Sequence, residues 1–268
     1  MTQGLSRRDI LKFGAITTVA TGMATAGLLQ VGAVSSQSNP VTFVLVHGAW
    51  FGGWCWKKLI PLLGAAGHPV YTVTLTGLGE RSHLLAPEID LNTHINDVSA
   101  VLEYENLNNV VLVGHSYGGM VISGVEQESH SRLLGLVYLD AFLPEDGKAL
   151  ADYAPVPPTR DDGWRVPPAG PPSEWGPTDA VDIAWMAARL GDQPLATFTQ
   201  PVQLPVDYSD SLSHTFIQCT EAPFFAEAGA RAQQVGFHYS DMLSIPAGHA
   251  AMISQPEALS ELLLAGLE

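Results

Sequence analysis

The 268-residue sequence predicts an α/β fold: a mostly parallel sheet flanked by helices, with a lid insertion. Two observations favour this class. Short β-branched runs alternate with longer helical segments, and a stretch rich in proline and tryptophan interrupts that alternation once. The composition agrees, because 46% hydrophobic and 15% charged residues are typical of a chain that folds around a core. We therefore expect one core domain with a single insertion.

Residues 1–34 are predicted to be an export signal rather than part of the fold. Arg7 and Arg8 precede an uncharged run rich in alanine, glycine and threonine, and residues 31–33 offer a small-residue cleavage site. This order resembles a twin-arginine signal. The alternative is a membrane anchor, since the run is long enough to span a bilayer, but it is only weakly hydrophobic. The prediction is a periplasmic or secreted protein with no stable membrane insertion after cleavage.

The core is predicted to comprise residues 40–140 and 214–268. Its first strand, residues 41–46, is a continuous apolar run of the kind found in strands buried on both faces. The other predicted strands are residues 70–74, 110–113, 134–139, 215–219 and 241–245. The predicted helices are residues 54–66, 93–105, 118–128, 222–234 and 256–264. Since the strands should be parallel, their carboxyl ends should share one edge of the sheet.

Residues 141–213, called the lid segment below, are predicted to cover the active site. They hold many prolines together with Trp164, Trp175 and Trp185. A disordered linker is the alternative, but linkers rarely carry three tryptophans and a long apolar run. With Phe142, these aromatic residues suggest a pocket for a small hydrophobic substrate. The competing interpretation is that they pack the lid segment's own core.

Charge and motif content exclude several classes of partner. A net charge of −15 without a lysine and arginine cluster makes nucleic acid an unexpected partner. The sequence has no H-E-x-x-H, paired C-x-x-C or glycine-rich phosphate loop, so neither a metal nor a cofactor is expected. Cys55 and Cys219 could form one disulfide in an exported protein, but the prediction favours free thiols.

The candidate nucleophile is Ser116. Residues 114–118, Gly-His-Ser-Tyr-Gly, match the G-x-S-x-G pattern, with a predicted strand before them and a predicted helix after them. A strand that enters a helix through such a tight turn holds the serine in a strained conformation with its hydroxyl above the sheet. This setting makes the match more specific than the pattern alone.

The candidate base is His249. A serine hydroxyl is a poor nucleophile at neutral pH and needs a nearby base. Residues 245–249, Ile-Pro-Ala-Gly-His, place this histidine between the last strand and the last helix, at the same sheet edge as Ser116. Histidines without such a context are predicted to be surface or packing residues, and they are His68, His83, His94, His130, His214 and His238.

Two carboxylates are candidates for orienting that histidine. Asp140 ends a predicted strand, 24 residues after Ser116, whereas Glu221 follows the strand at residues 215–219. The residues directly after the latter strand, Thr-Glu-Ala-Pro at 220–223, include no aspartate. We favour Asp140, because Glu221 would have to reach from a displaced position.

Two backbone amides are predicted to form an oxyanion hole. One belongs to Tyr117, directly after the candidate nucleophile. The other is Ala49, in the His-Gly-Ala-Trp sequence at residues 47–50 that follows the first strand. His47 itself is predicted to be structural, holding this loop through side-chain hydrogen bonds.

Four segments together resemble one branch of the α/β-hydrolases, which includes plant methylesterases, hydroxynitrile lyases and bacterial hydrolases of esters, carbamates and lactones. They are residues 43–50, 53–59, 114–119 and 248–249. The resemblance implies an α/β-hydrolase fold and a serine hydrolase that cleaves an ester or related acyl bond, like a carboxylesterase. Hydroxynitrile lyase-type chemistry and lactone- or carbamate-specific chemistry on the same scaffold are the alternatives.

Two positions favour hydrolysis within that branch. The lyases carry threonine after the first motif histidine and lysine after the catalytic histidine, and the lysine stabilises departing cyanide. This sequence has Gly48 and Ala250 there. A binding protein that kept only the fold is a further alternative, which the intact set of motifs disfavours.

Overall fold

The computed structural model describes residues 40–204, 212–222 and 239–267. The signal predicted over residues 1–34 and nearly all of the helix predicted over residues 222–234 lie outside the described residues. Among the described helices, none has both the length and the apolar character needed to cross a membrane.

A parallel sheet forms the centre of the described structure. The strands in chain order are β1 (Thr42–Val46), β2 (Val70–Val73), β3 (Val110–His115), β4 (Leu133–Leu139), β5 (Arg165–Val166), β6 (Gln193–Pro194), β7 (Ser213–Cys219) and β8 (Tyr239–Ile245). Six of these form one sheet in the order β2-β1-β3-β4-β7-β8, and all of its neighbouring pairs are parallel. The remaining two, β5 and β6, pair antiparallel. The predicted α/β class is confirmed.

The central strands are buried on both faces. In β1, Val44 and Val46 belong to one hydrophobic cluster, whereas Phe43 and Leu45 belong to another on the opposite face. Successive side chains of a strand point to opposite faces, so a run without polar residues fits only where both faces are covered. All six residues of β3 are buried as well. The apolar runs in the sequence are therefore the direct cause of this central position.

Helices cover both faces of the sheet. They are α1 (Ile60–Ala65), α2 (Leu91–Tyr104), α3 (Gly118–Ser129), α4 (Ala180–Ala187), α5 (Ala196–Thr199), α6 (Ala251–Ser254) and α7 (Pro256–Ala265). Asp90 caps α2, because its carboxylate accepts the Thr93 amide at 2.9 Å. The single helix predicted over residues 54–66 is wrong. A 3-10 turn and α1 replace it, and Pro61 lies in the first turn of α1, where a proline is tolerated.

The described residues of the lid segment, 141–204 and 212–213, pack on the sheet. Phe142, Val166 and Phe198 are buried in the same hydrophobic cluster as the β1 residues Val44 and Val46. Tryptophans of the segment contact the opposite cluster. The aromatic side chains therefore connect the lid segment to the core.

Candidate active site

Ser116 occupies a sharp turn between β3 and α3. Its φ angle of 53° lies in the left-handed region, which a non-glycine residue adopts only when its surroundings enforce it. Its amide donates to the Leu139 carbonyl at 3.2 Å, and the residue is buried, with 8% of its surface exposed. The local geometry is that of the predicted nucleophile elbow.

Close backbone contacts explain the glycines around that turn. A Cβ on Gly114 would lie 2.6 Å from the Gly118 carbonyl oxygen, and a Cβ on Gly118 would lie 2.8 Å from the Val46 carbonyl oxygen. Both distances are shorter than real contacts allow, so only glycine fits at either position. The turn is thereby pressed against the end of β1.

His249 and Asp140 are directly hydrogen-bonded. The Nδ1 of His249 donates to Oδ2 of Asp140 at 2.7 Å. The other carboxylate oxygen accepts the Cys219 amide at 3.2 Å. Asp140 is fully buried, and a buried carboxylate requires such partners. Because Nδ1 carries the proton, Nε2 of this imidazole has a lone pair with which it can accept a proton.

Asp140 reaches this position through an unusual backbone conformation. Its φ angle is 43°, and its amide donates to the Ile217 carbonyl at 2.8 Å. The residue thus turns away from the end of β4 toward the neighbouring strand β7. Glu221, the other candidate acid, has an exposed side chain, and its amide donates to the Ala247 carbonyl at 3.0 Å.

His115 links the two halves of the site, a role that the sequence reasoning missed. Its Nε2 donates to the carbonyl of His249 at 2.9 Å, and the two rings lie 4.4 Å apart. Burial, with a smaller contribution from neighbouring His249, holds the pKa of His115 well below its ordinary value of 6.5. His115 is therefore neutral. His115 directly precedes Ser116. Its contact with His249 therefore brings the serine turn and the loop at residues 246–250, called the histidine loop below, to the same sheet edge.

The two predicted oxyanion donors flank the serine. Neither the Ala49 nor the Tyr117 amide donates to another residue in the described part of the chain. Gly48 lies so close to Ser116 that a Cβ on Gly48 would be 2.8 Å from the Cβ of the serine. The loop that carries Ala49 therefore packs directly against the serine turn.

His47 holds that loop as predicted. Its Nδ1 donates to the Gly48 carbonyl at 2.8 Å, and its Nε2 accepts the Leu75 amide at 3.1 Å. Burial lowers the pKa of His47 from 6.5 to about 4, so the ring is neutral at physiological pH. Since the Gly48 carbonyl and the Ala49 amide belong to one planar peptide unit, this bond also orients the Ala49 N–H.

His94 fixes the side chain that follows the serine. Its Nε2 donates to the Thr76 carbonyl at 3.0 Å, and its Nδ1 accepts the Tyr117 hydroxyl at 2.9 Å. Burial lowers the pKa of His94 to about 4 and raises that of the Tyr117 phenol. The prediction that this histidine is a surface or packing residue is confirmed, and its full burial makes it a packing residue.

An aromatic wall of lid and core residues stands beside the loop at residues 47–50, which is called the oxyanion loop in the proposals below. Trp50 lies 5.7 Å from Trp175 and 5.8 Å from Phe198, measured between ring centroids. Phe51 lies 5.5 Å from Trp175. Such tilted contacts are favourable for aromatic rings. The wall gives the site an apolar side.

The two cysteines of the sequence both lie in the hydrophobic core. Cys55 and Cys219 are buried free thiols, and burial raises the pKa of both. In the ranges that the structure describes, no three His, Cys, Asp or Glu side chains are grouped as metal ligands.

Comparisons with known proteins agree with this architecture. The alpha/beta hydrolase family model matches residues 43–262. A carbendazim hydrolyzing esterase from Nocardioides sp. (strain SG-4G) is 37% identical over 243 residues, which cover 83% of this chain and 98% of the relative. Salicylic acid-binding protein 2 from Nicotiana tabacum is 28% identical over 249 residues, which cover 83% and 95%.

Solved structures show the same fold. An extracellular α/β-hydrolase from a Paenibacillus species superposes with a TM-score of 0.70 at 21% identity, covering 84% of this chain and 98% of the other. A methylesterase from Arabidopsis gives a TM-score of 0.70 at 23% identity, covering 85% and 98%. With the family match over most of its length, the chain belongs to the alpha/beta hydrolase family.

Proposed function

We propose that the chain is a serine hydrolase that cleaves an ester or a related acyl bond, as carboxylesterases do. The observation that carries this proposal is the hydrogen bond of 2.7 Å between His249 and buried Asp140, at the sheet edge where Ser116 adopts its strained turn. Relatives named as esterases, one of them 37% identical over most of the chain, support the reaction class.

In this mechanism Ser116 attacks the acyl carbon while Nε2 of His249 accepts the hydroxyl proton. The amides of Ala49 and Tyr117 stabilise the negative charge on the tetrahedral oxygen. His249 then donates its proton to the leaving alcohol, and a water molecule hydrolyses the acyl-enzyme by the same steps. Asp140 keeps the Nδ1–H tautomer and stabilises the imidazolium that forms.

Two packing observations favour hydrolysis over cyanohydrin cleavage. At Gly48 a side chain would meet both Ser116 and His115 at 2.8 Å, so the threonine of the lyases does not fit. Ala250 is fully buried, and its amide donates to the Trp175 carbonyl at 2.6 Å. A lysine at position 250 would place a charge in this buried position at high cost.

The aromatic wall supports a small hydrophobic acyl substrate. The partly exposed rings of Trp50 and Trp175 pack together beside the proposed oxyanion hole, and Trp50 also packs on buried Phe198. Binding pockets with such apolar walls favour apolar ligands. A panel of aryl esters, lactones and carbamates, with carbendazim included, would rank the bond types by kcat/KM.

The decisive experiment replaces Ser116 by alanine and follows p-nitrophenyl acetate hydrolysis. We expect kcat to fall by at least about 1,000-fold, because the nucleophile is lost, and labelling by a fluorophosphonate probe to disappear. Ser82→Ala, at an exposed serine, is the matched control and should keep full activity. Retention of most activity in Ser116→Ala would refute the proposed function.

We also propose that the protein is exported by the twin-arginine route to the periplasm or the medium. Arg7 and Arg8 before a weakly hydrophobic run support this proposal. Replacing both arginines by lysine should leave the protein in the cytoplasm of an expressing bacterium. Unchanged export of that variant would contradict the route.

A further inference from the structure

The lid segment binds the oxyanion loop through one buried side chain. Oε1 of Gln193 accepts the Trp50 amide at 2.9 Å, and its Nε2 donates to Thr197 Oγ1 at 2.8 Å. The Thr197 hydroxyl in turn donates to the Pro194 carbonyl at 2.7 Å. Gln193 has no solvent exposure. Its amide is therefore fixed in one orientation, with its oxygen toward Trp50.

Trp50 is held at two further points by the same segment. Its carbonyl accepts the Gly191 amide at 3.2 Å, and its indole N–H donates to the Val166 carbonyl at 3.0 Å. Its φ angle of 68° is unfavourable for a tryptophan. Without these bonds the backbone would relax toward an ordinary conformation.

The conformation of Trp50 determines the direction of the preceding amide. The 48–49 and 49–50 peptide units share the Cα of Ala49, so fixing the second unit restricts rotation of the first. Gln193 bonds the N–H of the second unit, whereas His47 bonds the carbonyl of the first. The core and the lid segment thus hold the Ala49 amide from opposite sides.

We propose that Gln193 is a positioning residue of the oxyanion hole. Through Trp50 it keeps the Ala49 N–H directed at the oxygen that becomes negative in the transition state. The lid segment then completes the catalytic machinery as well as covering the site. This inference rests on the proposed function and assigns a role to a side chain that lies 143 residues from the loop it holds.

The test replaces Gln193 by methionine, which has a similar size but offers the Trp50 N–H only a weak thioether acceptor in place of the amide oxygen. Activity is expressed as kcat for each active site titrated with a fluorophosphonate, so that a loss of folded protein does not count as a loss of catalysis. We expect kcat to fall about 10- to 100-fold, less than the loss of a whole oxyanion donor, with KM within about threefold of the parent value. Gln203→Met, at an exposed glutamine of the lid segment, is the control and should change neither value.

A second measurement separates positioning from general structural damage. A trifluoromethyl ketone adds to the serine and places an oxyanion in the hole, whereas the matching methyl ketone binds without that charge. Affinity for the trifluoromethyl ketone should fall in parallel with kcat in Gln193→Met, and affinity for the methyl ketone should stay within about twofold. An unchanged trifluoromethyl ketone affinity, or an unchanged kcat, overturns the proposal.

Thr197→Val keeps the test decisive if the methionine variant does not fold. This substitution preserves shape but removes the hydroxyl that accepts the Gln193 amide, so a several-fold parallel loss of kcat and trifluoromethyl ketone affinity is expected. No loss in this variant overturns the proposal. Different results would refute the proposed hydrolase function itself: either the parent protein shows no turnover, or turnover survives Ser116→Ala.

Discussion

At the scale of single residues, Asp140 forms two hydrogen bonds that serve different purposes. One carboxylate oxygen binds the His249 imidazole, and the other binds the Cys219 amide. The carboxylate thus connects the proposed base to β7 while it remains buried. Replacing it should affect the tautomer of the histidine more than the fold.

We expect Asp140→Asn to lower kcat by about 100- to 10,000-fold, because an amide can favour the wrong histidine tautomer. Glu221→Gln should stay within about threefold of the parent activity, since this side chain is exposed. Steady-state kinetics of the two variants with one aryl ester make the comparison. The reverse result would assign the acid to Glu221.

His115 gives a second prediction at this scale. Phenylalanine at position 115 would leave the His249 carbonyl without its donor, so kcat should fall about 10-fold through loss of orientation. Stability should change little. The lost hydrogen bond is offset because the buried Nδ1 of His115, which has no partner among the described residues, is removed as well. Kinetics and thermal unfolding of His115→Phe, against His83→Phe at an exposed site, test this. A large loss of stability with unchanged kcat in His115→Phe would contradict the proposed orienting role of His115.

Single residues also show what the sequence reveals about the site. The proposed roles of Ser116 and His249 come from local motifs, and that of Asp140 comes from its place at a strand end. Gln193 and the linking role of His115 do not, because their partners are distant in the chain and no local periodicity marks them. The sequence contains one indication of the role of His115, namely that a histidine occupies the position directly before the serine in the G-x-S-x-G motif.

At the scale of elements, the histidine loop and the lid segment meet at a pair of glycines. A Cβ on Gly248 would lie 2.3 Å from the Cα of Gly176, which itself has a φ angle of 118°. The Ala250 amide donates to the Trp175 carbonyl beside this contact. The loop that carries His249 therefore has no room to approach the lid segment more closely, and the hydrogen bond holds the two together.

Gly248→Ala should displace this loop, lowering both kcat/KM and the melting temperature. The clash is with backbone, which cannot move aside like a flexible side chain, so a destabilisation of about 1–3 kcal/mol is expected. Gly64→Ala is the control, because its Cβ meets nothing within 4 Å and alanine favours the helix. Circular dichroism melts with parallel kinetics measure both effects. Full activity in Gly248→Ala would show that the contact is unimportant.

Element prediction succeeded where burial imposes a pattern and failed where it does not. The apolar runs predicted β1, β3 and β4 to within two residues of their ends. The two-residue strands β5 and β6 are too short for any periodicity, so the small sheet that supports Trp50 was not predicted. The continuous helix over residues 54–66 failed because Pro61 restricts where α1 can begin.

At the scale of the whole molecule, three buried histidines couple stability to pH. Burial lowers the pKa of His47 and His94 to about 4 and that of His115 well below 6.5. The unfolded chain therefore binds more protons than the native state in this range, and stability falls as pH falls below 6.5. Above that pH the histidines are neutral in both states, and their contribution is constant.

We expect the free energy of unfolding to decrease between pH 6.5 and 4 by up to about 1.4 kcal/mol per pH unit for each of these histidines. Denaturant titrations at closely spaced pH values measure the slope. His94→Gln should reduce that slope by up to about 1.4 kcal/mol per pH unit, which corresponds to one proton fewer taken up on unfolding. His83→Gln, at an exposed histidine, should leave the slope unchanged. A stability that does not change between pH 6.5 and 5 would contradict the prediction.

The dual attachment of the lid segment limits how this enzyme can be engineered. Gly191 and Gln193 bind Trp50 in the loop at residues 47–50, whereas Trp175 and Gly176 contact the loop that carries His249. Randomising the whole insertion to broaden substrate range would therefore yield mostly inactive clones. Libraries that keep those four positions constant and diversify other positions of the lid segment should return a larger share of functional variants.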